Sequence, residues 1–255
     1  MLSLSKDDLL LKLESLNIFK GDIILLHSQL TNSDLDISQR RAFLSLLINY
    51  LGDEGTIIMD YSGSNFDVSE REDVYKLSDY ADLRSLMPAF DQTTAHLYAD
   101  DLLAITLASY NNCLMSDSYA YPYIGVGKYA KLILSAQSLN FPNGNLSPLA
   151  KLYQLRAKIL VVNSHLNDLA LNAYTFETSQ ASLIKVNGGM QNKDNQAIWS
   201  KFLEKEVDKE MVSKTLKSSE IKKLFYYSDL KGLNLLSSDV RSYVDYFRAY
   251  LEERD

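Results

Sequence analysis

Histidines that follow apolar runs are the residues of this sequence best suited to chemistry. His27, with Ser28 after it, comes directly after the apolar run 23–26, and His165 stands in a polar loop after the run 158–162. Ligands of open α/β sheets gather at the carboxyl ends of the strands. Both histidines are therefore candidates for a functional site, although the His27–Ser28 pair taken alone favours a structural role.

His165 is the stronger candidate for a general base, the group that removes a proton from a reacting molecule. Asp168 follows it closely enough in sequence to orient its imidazole, as a carboxylate commonly does in acid–base catalysis. A solvent-exposed histidine without a catalytic role is the alternative. The third histidine, His96, follows Asp91 and Thr94 in an irregular segment, where it would line the same cleft or none.

The sequence offers little for metal, nucleotide or disulfide chemistry. Three scattered histidines without a His-x-x-Glu-His pattern predict no metal site, and neither a Walker loop nor a Gly-x-Gly-x-x-Gly pattern occurs. Cys113 is the only cysteine, so an internal disulfide cannot form, which fits a reducing compartment. Its apolar neighbourhood favours a packed thiol over a nucleophile.

The charge balance argues against a nucleic-acid partner. The chain has 26 Lys and Arg against 33 Asp and Glu, a formal net charge of −7. Binding a phosphate backbone needs a basic surface, whereas the lysines between 205 and 223 are interleaved with acidic residues. The N-terminus lacks a signal-peptide pattern, and no apolar stretch approaches the roughly 20 residues that span a bilayer. We expect a cytoplasmic protein without a membrane partner.

Residues 1–60 predict the order helix, strand, helix, strand. Leucines at helical spacing follow Ser5, and the run 23–26 is apolar at every position, which predicts a strand covered on both faces. A second helix is expected over 38–51 with Ser38 as its cap, and a second strand over 56–59. This order is typical of an α/β fold with a mixed central sheet and helices on both faces.

The rest of the chain predicts further helices and few strands. Helices are expected over 102–109, 128–138, 147–155, 166–174 and 199–211, and after Ser237 or Ser238. Strands are expected over 158–162 and 233–236, with a hairpin across 187–189. The segment 62–100 lacks a regular period, which is typical of a binding loop. Because no Pro- or Gly-rich linker divides the sequence, we interpret residues 1–255 as a single domain.

Four segments, in this order, resemble the aminoglycoside 3-N-acetyltransferase family. They are Gly21-Asp22-Ile23-Ile24-Leu25-Leu26-His27-Ser28-Gln29-Leu30, Gly52-Asp53-Glu54-Gly55-Thr56-Ile57-Ile58-Met59, Phe90-Asp91 with Thr93-Thr94, and Gly144-Asn145-Leu146-Ser147-Pro148-Leu149-Ala150-Lys151-Leu152-Tyr153-Gln154-Leu155. The last is the most specific, since it is close to the family's Gly-x-x-Ser-Pro-Leu-x-x-Leu-Tyr-x-Leu. A fifth segment, Leu235-Leu236-Ser237-Ser238-Asp239-Val240, resembles the family's ending more loosely. The order and spacing of the segments carry the resemblance, which together with the fifth segment spans most of the chain.

The resemblance implies an enzyme that acylates an amine with acetyl-coenzyme A as co-substrate, without a covalent enzyme intermediate. Asp91 and Thr94 would face the amine, and a homodimer is possible. The loop 27–30 would hold the coenzyme's phosphates, and a serine further along would lie near its pantetheine arm. The implied coenzyme-binding residues are His27, Ser28, Gln29, Leu30 and Ser147.

The sequence departs from the family where the family's catalytic residues should stand. Ser118 and Tyr119 replace the His-Pro of its His-Pro-x-x-Ser segment. Asn172 and Thr175 replace the His and Glu of its Leu-His-x-x-Glu segment, and Glu177 follows two positions late.

These departures leave two readings of the function open. Losing a positioned base typically costs roughly 10²–10⁴-fold in rate, so an active enzyme would need His165 or His96 in that role. We expect such an acyltransferase to act on an amino sugar rather than on a clinical aminoglycoside. The alternative is a catalytically inactive relative that serves as a binding or scaffolding subunit.

Overall fold

The computed structural model describes residues 6–61, 79, 82, 85–86, 89–92, 100–180, 183–194 and 196–253. Its strands are β1 (Ile23–Ser28), β2 (Thr56–Asp60), β3 (Leu114–Met115), β4 (Tyr123–Gly127), β5 (Lys158–Val162), β6 (Ile184–Lys193), β7 (Gln196–Lys205), β8 (Tyr226–Leu230) and β9 (Leu233–Asp239). Seven of them form one mixed sheet in the order β3-β4-β2-β1-β5-β9-β8, while β6 and β7 form a separate hairpin.

The centre of the sheet is β1, which has a parallel neighbour on each side. It pairs with β2 and with β5, the two other strands that the apolar runs predict. The ends of these three strands therefore meet at one edge of the sheet, here called the carboxyl edge and defined by residues 27–28, 60–61 and 163–165. Because β4 is antiparallel to β2, the loop 116–122 that precedes β4 also lies at this edge.

Helices cover both faces of the sheet, as expected for strands that are apolar at every position. Ile24 and Leu26 of β1 pack in one apolar cluster with three helices, and Ile23 and Leu25 pack in a second cluster with the others. The first group is α1 (Lys6–Ser15), α2 (Ile37–Leu51) and α3 (Leu102–Ala108). The second is α4 (Ala130–Leu134), α5 (Pro148–Gln154), α6 (Leu171–Thr178), α7 (Lys209–Lys217), α8 (Ser219–Lys222) and α9 (Val240–Glu252). The predicted α/β fold is confirmed.

The hairpin of β6 and β7 corrects two predictions. Residues 187–189 lie inside β6 rather than in a turn, and the expected helix over 199–211 is a strand as far as Lys205. Gly188 does not form a turn but leaves space for the ring of Trp199 on β7. A Cβ at Gly188 would lie 2.6 Å from that ring. The strands instead connect near Asp194, whose φ is 53°.

Several helix boundaries also differ from the predictions. Asp36 caps α2 in a capping box with Gln39, so Ser38 is not the cap. Residues 166–168 form a 3₁₀ turn, and α6 begins only at Leu171. The last helix begins at Val240, after a strand that includes both Ser237 and Ser238. None of the helices within the described ranges is long and apolar enough to cross a membrane.

Gly127 is a position at which we expect the fold to tolerate no side chain. Its φ is 110°, and a Cβ there would lie 2.2 Å from the carbonyl oxygen of Gly55. Gly232 is a matched control, because its φ is 92° but a Cβ would meet nothing within 4 Å.

We predict that Gly232→Ala costs only backbone strain, about 1–2 kcal/mol of unfolding free energy. Gly127→Ala should cost about 1–3 kcal/mol more, because backbone atoms must move apart. Urea unfolding of both variants measures the difference, and equal losses would contradict the packing described for Gly127.

Candidate active site

His27 is held at the carboxyl edge by a hydrogen bond with a side chain that follows β5. Its Nε2 lies 2.9 Å from the hydroxyl oxygen of Ser164. The register of the sheet causes this contact, since His27 lies opposite Val161 and Ser164 follows shortly after the end of β5. Two neighbouring parallel strands thus place an imidazole and a hydroxyl together from distant parts of the sequence.

The electrostatic surroundings of His27 act in opposite directions. Burial lowers its pKa from the ordinary value of 6.5, while the carboxylates of Asp101, Asp60 and Asp168 raise it by a smaller amount. The backbone of His165 also raises the pKa of His27, by the smallest amount. Because burial is the largest effect, the ring is mainly neutral at neutral pH and can accept a proton, as a general base must.

Ser28 joins the end of β1 to the start of α3. Its hydroxyl donates to Asp101 Oδ1 at 2.6 Å, and the same oxygen accepts from the backbone N–H groups of Leu103 and Ala104. Burial raises the pKa of Asp101, although these hydrogen bonds and His27 lower it. The Ser28 hydroxyl is therefore engaged within the protein.

The other residues that were predicted to bind the coenzyme do not share one environment. Gln29 is exposed beyond the end of β1, and Leu30 is buried in the apolar core. Ser147 is completely buried, and its hydroxyl caps α5 by accepting from the N–H of Ala150. The coenzyme roles of these residues stay predictions.

The predicted base His165 has a different environment from His27. Its side chain is exposed, and among the described residues no hydrogen bond joins its ring to Asp168. The Asp168 carboxylate instead acts on the pKa of His27. The catalytic roles of His165 and Asp168 stay predictions, and His96 and Thr94 lie outside the described residues.

Sequence reasoning placed His27 in the coenzyme loop and did not identify it as a possible base. The sequence did contain a signal that the two side chains lie near each other. His27 and Ser164 both follow apolar runs, and in an α/β fold such runs form strands of one sheet. The contact between them still depends on strand order and register, which the local pattern does not specify.

An acidic cavity of about 420 Å³ opens beside the loop 116–122, and hence on the side of the carboxyl edge. Its carboxylates come from three separate segments, Asp91, Asp117 and Asp194. The rest of its lining consists of aromatic rings and side-chain amides, from Phe90, Gln92, Tyr119, Gln191 and Asn192. The predicted substrate residue Asp91 thus lies in a cavity suited to a cation, accepting a 3.3 Å hydrogen bond from Asn192.

The residues that the resemblance aligns with the family's catalytic positions make hydrogen bonds within the fold. Ser118 accepts from the N–H of Tyr121. The buried amide of Asn172 donates to two carbonyls of the 3₁₀ turn and accepts from the Tyr243 hydroxyl at 2.6 Å, which ties α6 to α9. Thr175 donates to the carbonyl of Leu171 inside α6. These side chains stabilise the fold as they stand.

Glu177, close to those positions, is a largely buried acid. Its Oε2 accepts from the N–H of Asn143 at 2.9 Å, yet burial raises its pKa to about 8. In the part of the chain that the structure describes, no group of His, Cys, Asp and Glu side chains has the arrangement of a metal site.

Comparison with known sequences identifies a family. Residues 25–252 match the family model described as aminoglycoside 3-N-acetyltransferase. A curated relative, the SPbeta prophage-derived aminoglycoside N(3')-acetyltransferase-like protein YokD of Bacillus subtilis (strain 168), is 27% identical over 155 residues. That match covers 60% of this chain and 57% of YokD, so it spans less than two thirds of the relative.

Solved structures share the fold. The crystal structure of YokD from Bacillus subtilis has a TM-score of 0.84 at 20% identity and covers 97% of this chain and 98% of its own. Aminoglycoside acetyltransferase AAC(3)-Xa also has a TM-score of 0.84, at 17% identity with coverages of 99% and 95%. AAC-IIIb, solved as a binary complex with CoASH, has a TM-score of 0.83 at 16% identity with coverages of 98% and 97%.

We predict that NMR titration places the pKa of His27 below 6.5, because burial outweighs the carboxylates around the ring. Asp101→Asn removes one of those carboxylates while keeping an oxygen that can accept from Ser28. This variant should therefore lower the His27 pKa further. Asp53→Asn, an equal change of charge in an exposed turn before β2, should leave the pKa unchanged.

The same shift has a consequence for stability. The His27 ring is harder to protonate in the folded protein than in the unfolded one. Its contribution to the free energy of unfolding is therefore fully present above pH 6.5 and is lost as the pH falls from 6.5 to the folded-state pKa. A His27 pKa above 6.5, or one that rises in Asp101→Asn, would contradict this electrostatic account.

Proposed function

Because the chain belongs to the aminoglycoside 3-N-acetyltransferase family, we propose that it transfers an acyl group from acyl-coenzyme A to an amine of a small molecule. The acceptor in this proposal is an amino sugar rather than a clinical aminoglycoside. The observation that carries the proposal is the acidic cavity on the side of the sheet where His27 lies. A homodimer and a single domain over 1–255 remain predictions.

The chemistry of the cavity matches an amino sugar. Ammonium groups are attracted by the carboxylates of Asp91, Asp117 and Asp194, and side-chain amides can hydrogen-bond sugar hydroxyls. The aromatic rings of Phe90 and Tyr119 supply apolar surface for the sugar ring. A volume of about 420 Å³ lies in the range of small-molecule sites.

Transfer of the acyl group requires the attacking amine to lose a proton. His27 is the base that the contacts favour, because the ring is fixed and mainly neutral. His165, oriented by Asp168, is the base predicted from the sequence. Acetyl-coenzyme A is the proposed donor, which is supported by the binary complex of AAC-IIIb with CoASH on the same fold.

A catalytically inactive relative is the second candidate. The hydrogen bonds of Asn172 and Thr175 within the fold favour this candidate. At these two positions of α6 the family resemblance implies a histidine and a glutamate. Such a protein would bind the amine, the coenzyme or another protein without reaction.

Acetyl-coenzyme A should stabilise the folded protein if it is the co-substrate. At one hundred times its dissociation constant, a ligand that binds only the folded state adds about 2.7 kcal/mol. We predict a rise in the melting temperature with acetyl-coenzyme A and none with acetate. An unchanged melting temperature at millimolar acetyl-coenzyme A would contradict the acyltransferase proposal.

Neutralising the cavity should weaken the binding of an amino sugar. Asp117 and Asp194 are exposed, so Asp117→Asn and Asp194→Asn should fold normally. Each should weaken glucosamine binding by a factor of about 1.4 to 5, since exposed ion pairs contribute roughly 0.2–1 kcal/mol. Titration calorimetry measures the affinity for glucosamine in each variant. The affinity for N-acetylglucosamine, which lacks the charged ammonium group, should be the same in the variants and the wild type.

The matched control is Asp53→Asn, which removes the same charge from a cavity at the opposite end of β2. It should leave glucosamine binding unchanged. Equal weakening in all three variants would indicate a general effect of net charge rather than a site.

A further inference from the structure

Arg40 is a buried arginine of α2 whose hydrogen bonds all go to neutral acceptors. The residue is only 6% exposed. Its Nε donates to the Thr106 hydroxyl at 3.3 Å, and its Nη1 donates to Asn32 Oδ1 at 3.0 Å and to the carbonyl of Leu35 at 2.9 Å. Among the described residues, no carboxylate forms an ion pair with its guanidinium.

A charge without a counterion is costly inside a protein. A buried guanidinium loses its hydration, and neutral oxygens restore only part of the lost stabilisation. Lys158, another partly buried cation of this protein, pairs with Asp22 at 3.0 Å. An anion bound close to Arg40 would therefore be stabilised by a charge that the described residues leave without a counterion.

The contacts of Arg40 place its charge behind the loop that follows β1, residues 29–35, here called the β1 loop. The bonds from Nη1 to Asn32 and Leu35 hold this loop against α2. The bond from Nε to Thr106 adds α3 to the same cluster. One side chain thus fixes the β1 loop to the two helices behind it.

The β1 loop has backbone donors on its outer side. Within the described ranges, no acceptor binds the N–H groups of Asn32 and Ser33, and both residues are exposed. Asp34 is the acidic residue of the loop, and its carboxylate accepts from the N–H and the hydroxyl of Thr31 rather than from Arg40. Successive backbone N–H groups of a turn are a common binding site for phosphate.

We propose that Arg40 is a positioning residue for the coenzyme: its guanidinium fixes the β1 loop and supplies the positive charge that favours binding of the coenzyme's phosphates there. This inference rests on the proposed function, which provides the ligand, and it deepens that function. It gives a role to a residue of α2 that lies outside the segment 27–30, to which the family resemblance assigns the phosphates.

The experiment is titration calorimetry with coenzyme A and with pantetheine, which lacks the phosphates. Arg40→Met keeps an apolar side chain without the charge. It should weaken coenzyme A binding about tenfold or more, as expected when a buried charge that faces an anion is removed. The affinity for pantetheine should equal that of the wild type.

The matched control is Arg41→Met, which removes the same charge from the next position of α2, where the side chain is exposed. This variant should bind coenzyme A as the wild type does. Arg40→Lys guards against a folding defect, because lysine keeps the charge but lacks the planar fork of donors. It should bind coenzyme A more tightly than Arg40→Met and less tightly than the wild type.

The outcomes separate this inference from the proposed function. Coenzyme A binding that is unchanged in Arg40→Met, or a parallel loss of pantetheine binding, would overturn the role of Arg40 alone. Wild-type protein that binds no coenzyme A would overturn both. Binding that depends on Arg40, without any acyl transfer to an amine, would support the role of Arg40 and contradict the proposed function.

Discussion

The parallel pairing of β1 with β2 and β5 is the constraint on which the candidate site depends. A strand apolar at every position is stable only when both of its faces are covered, which places β1 at the centre of the sheet between two layers of helices. Parallel neighbours then bring their carboxyl ends to one edge. His27, Asp60 and Ser164 meet there because of this topology and not because they are close in sequence.

Burial and negative charge compete at this edge, and the balance determines what the site can do. Burial keeps the His27 ring neutral, while Asp101, Asp60 and Asp168 favour its protonated form and would stabilise an imidazolium formed during reaction. The acidic cavity lies beside the loop that precedes β4. Under the proposed function, the ammonium group of an amino sugar would be attracted to the side of the sheet where His27 lies.

Local patterns were sufficient for the strands that build the edge but not for the contacts across it. The runs 23–26, 56–59 and 158–162 are apolar throughout and were correctly predicted as strands of one sheet. The burial of His27 and its contact with Ser164 could not be predicted from local patterns, because they arise from pairing between strands far apart in the sequence. The hairpin was misplaced for a similar reason, since Gly188 accommodates Trp199 on the opposite strand instead of forming a turn.

Replacing the two described histidines one at a time tests most directly whether His27 is the base. The measurement is the release of coenzyme A from acetyl-coenzyme A with glucosamine as the acceptor, for His27→Gln and His165→Gln. We predict that His27→Gln lowers kcat by roughly 10²–10⁴-fold, whereas replacing the exposed His165 lowers it at most a few-fold. Loss of activity in His165→Gln with full activity in His27→Gln would refute the assignment of the base to His27.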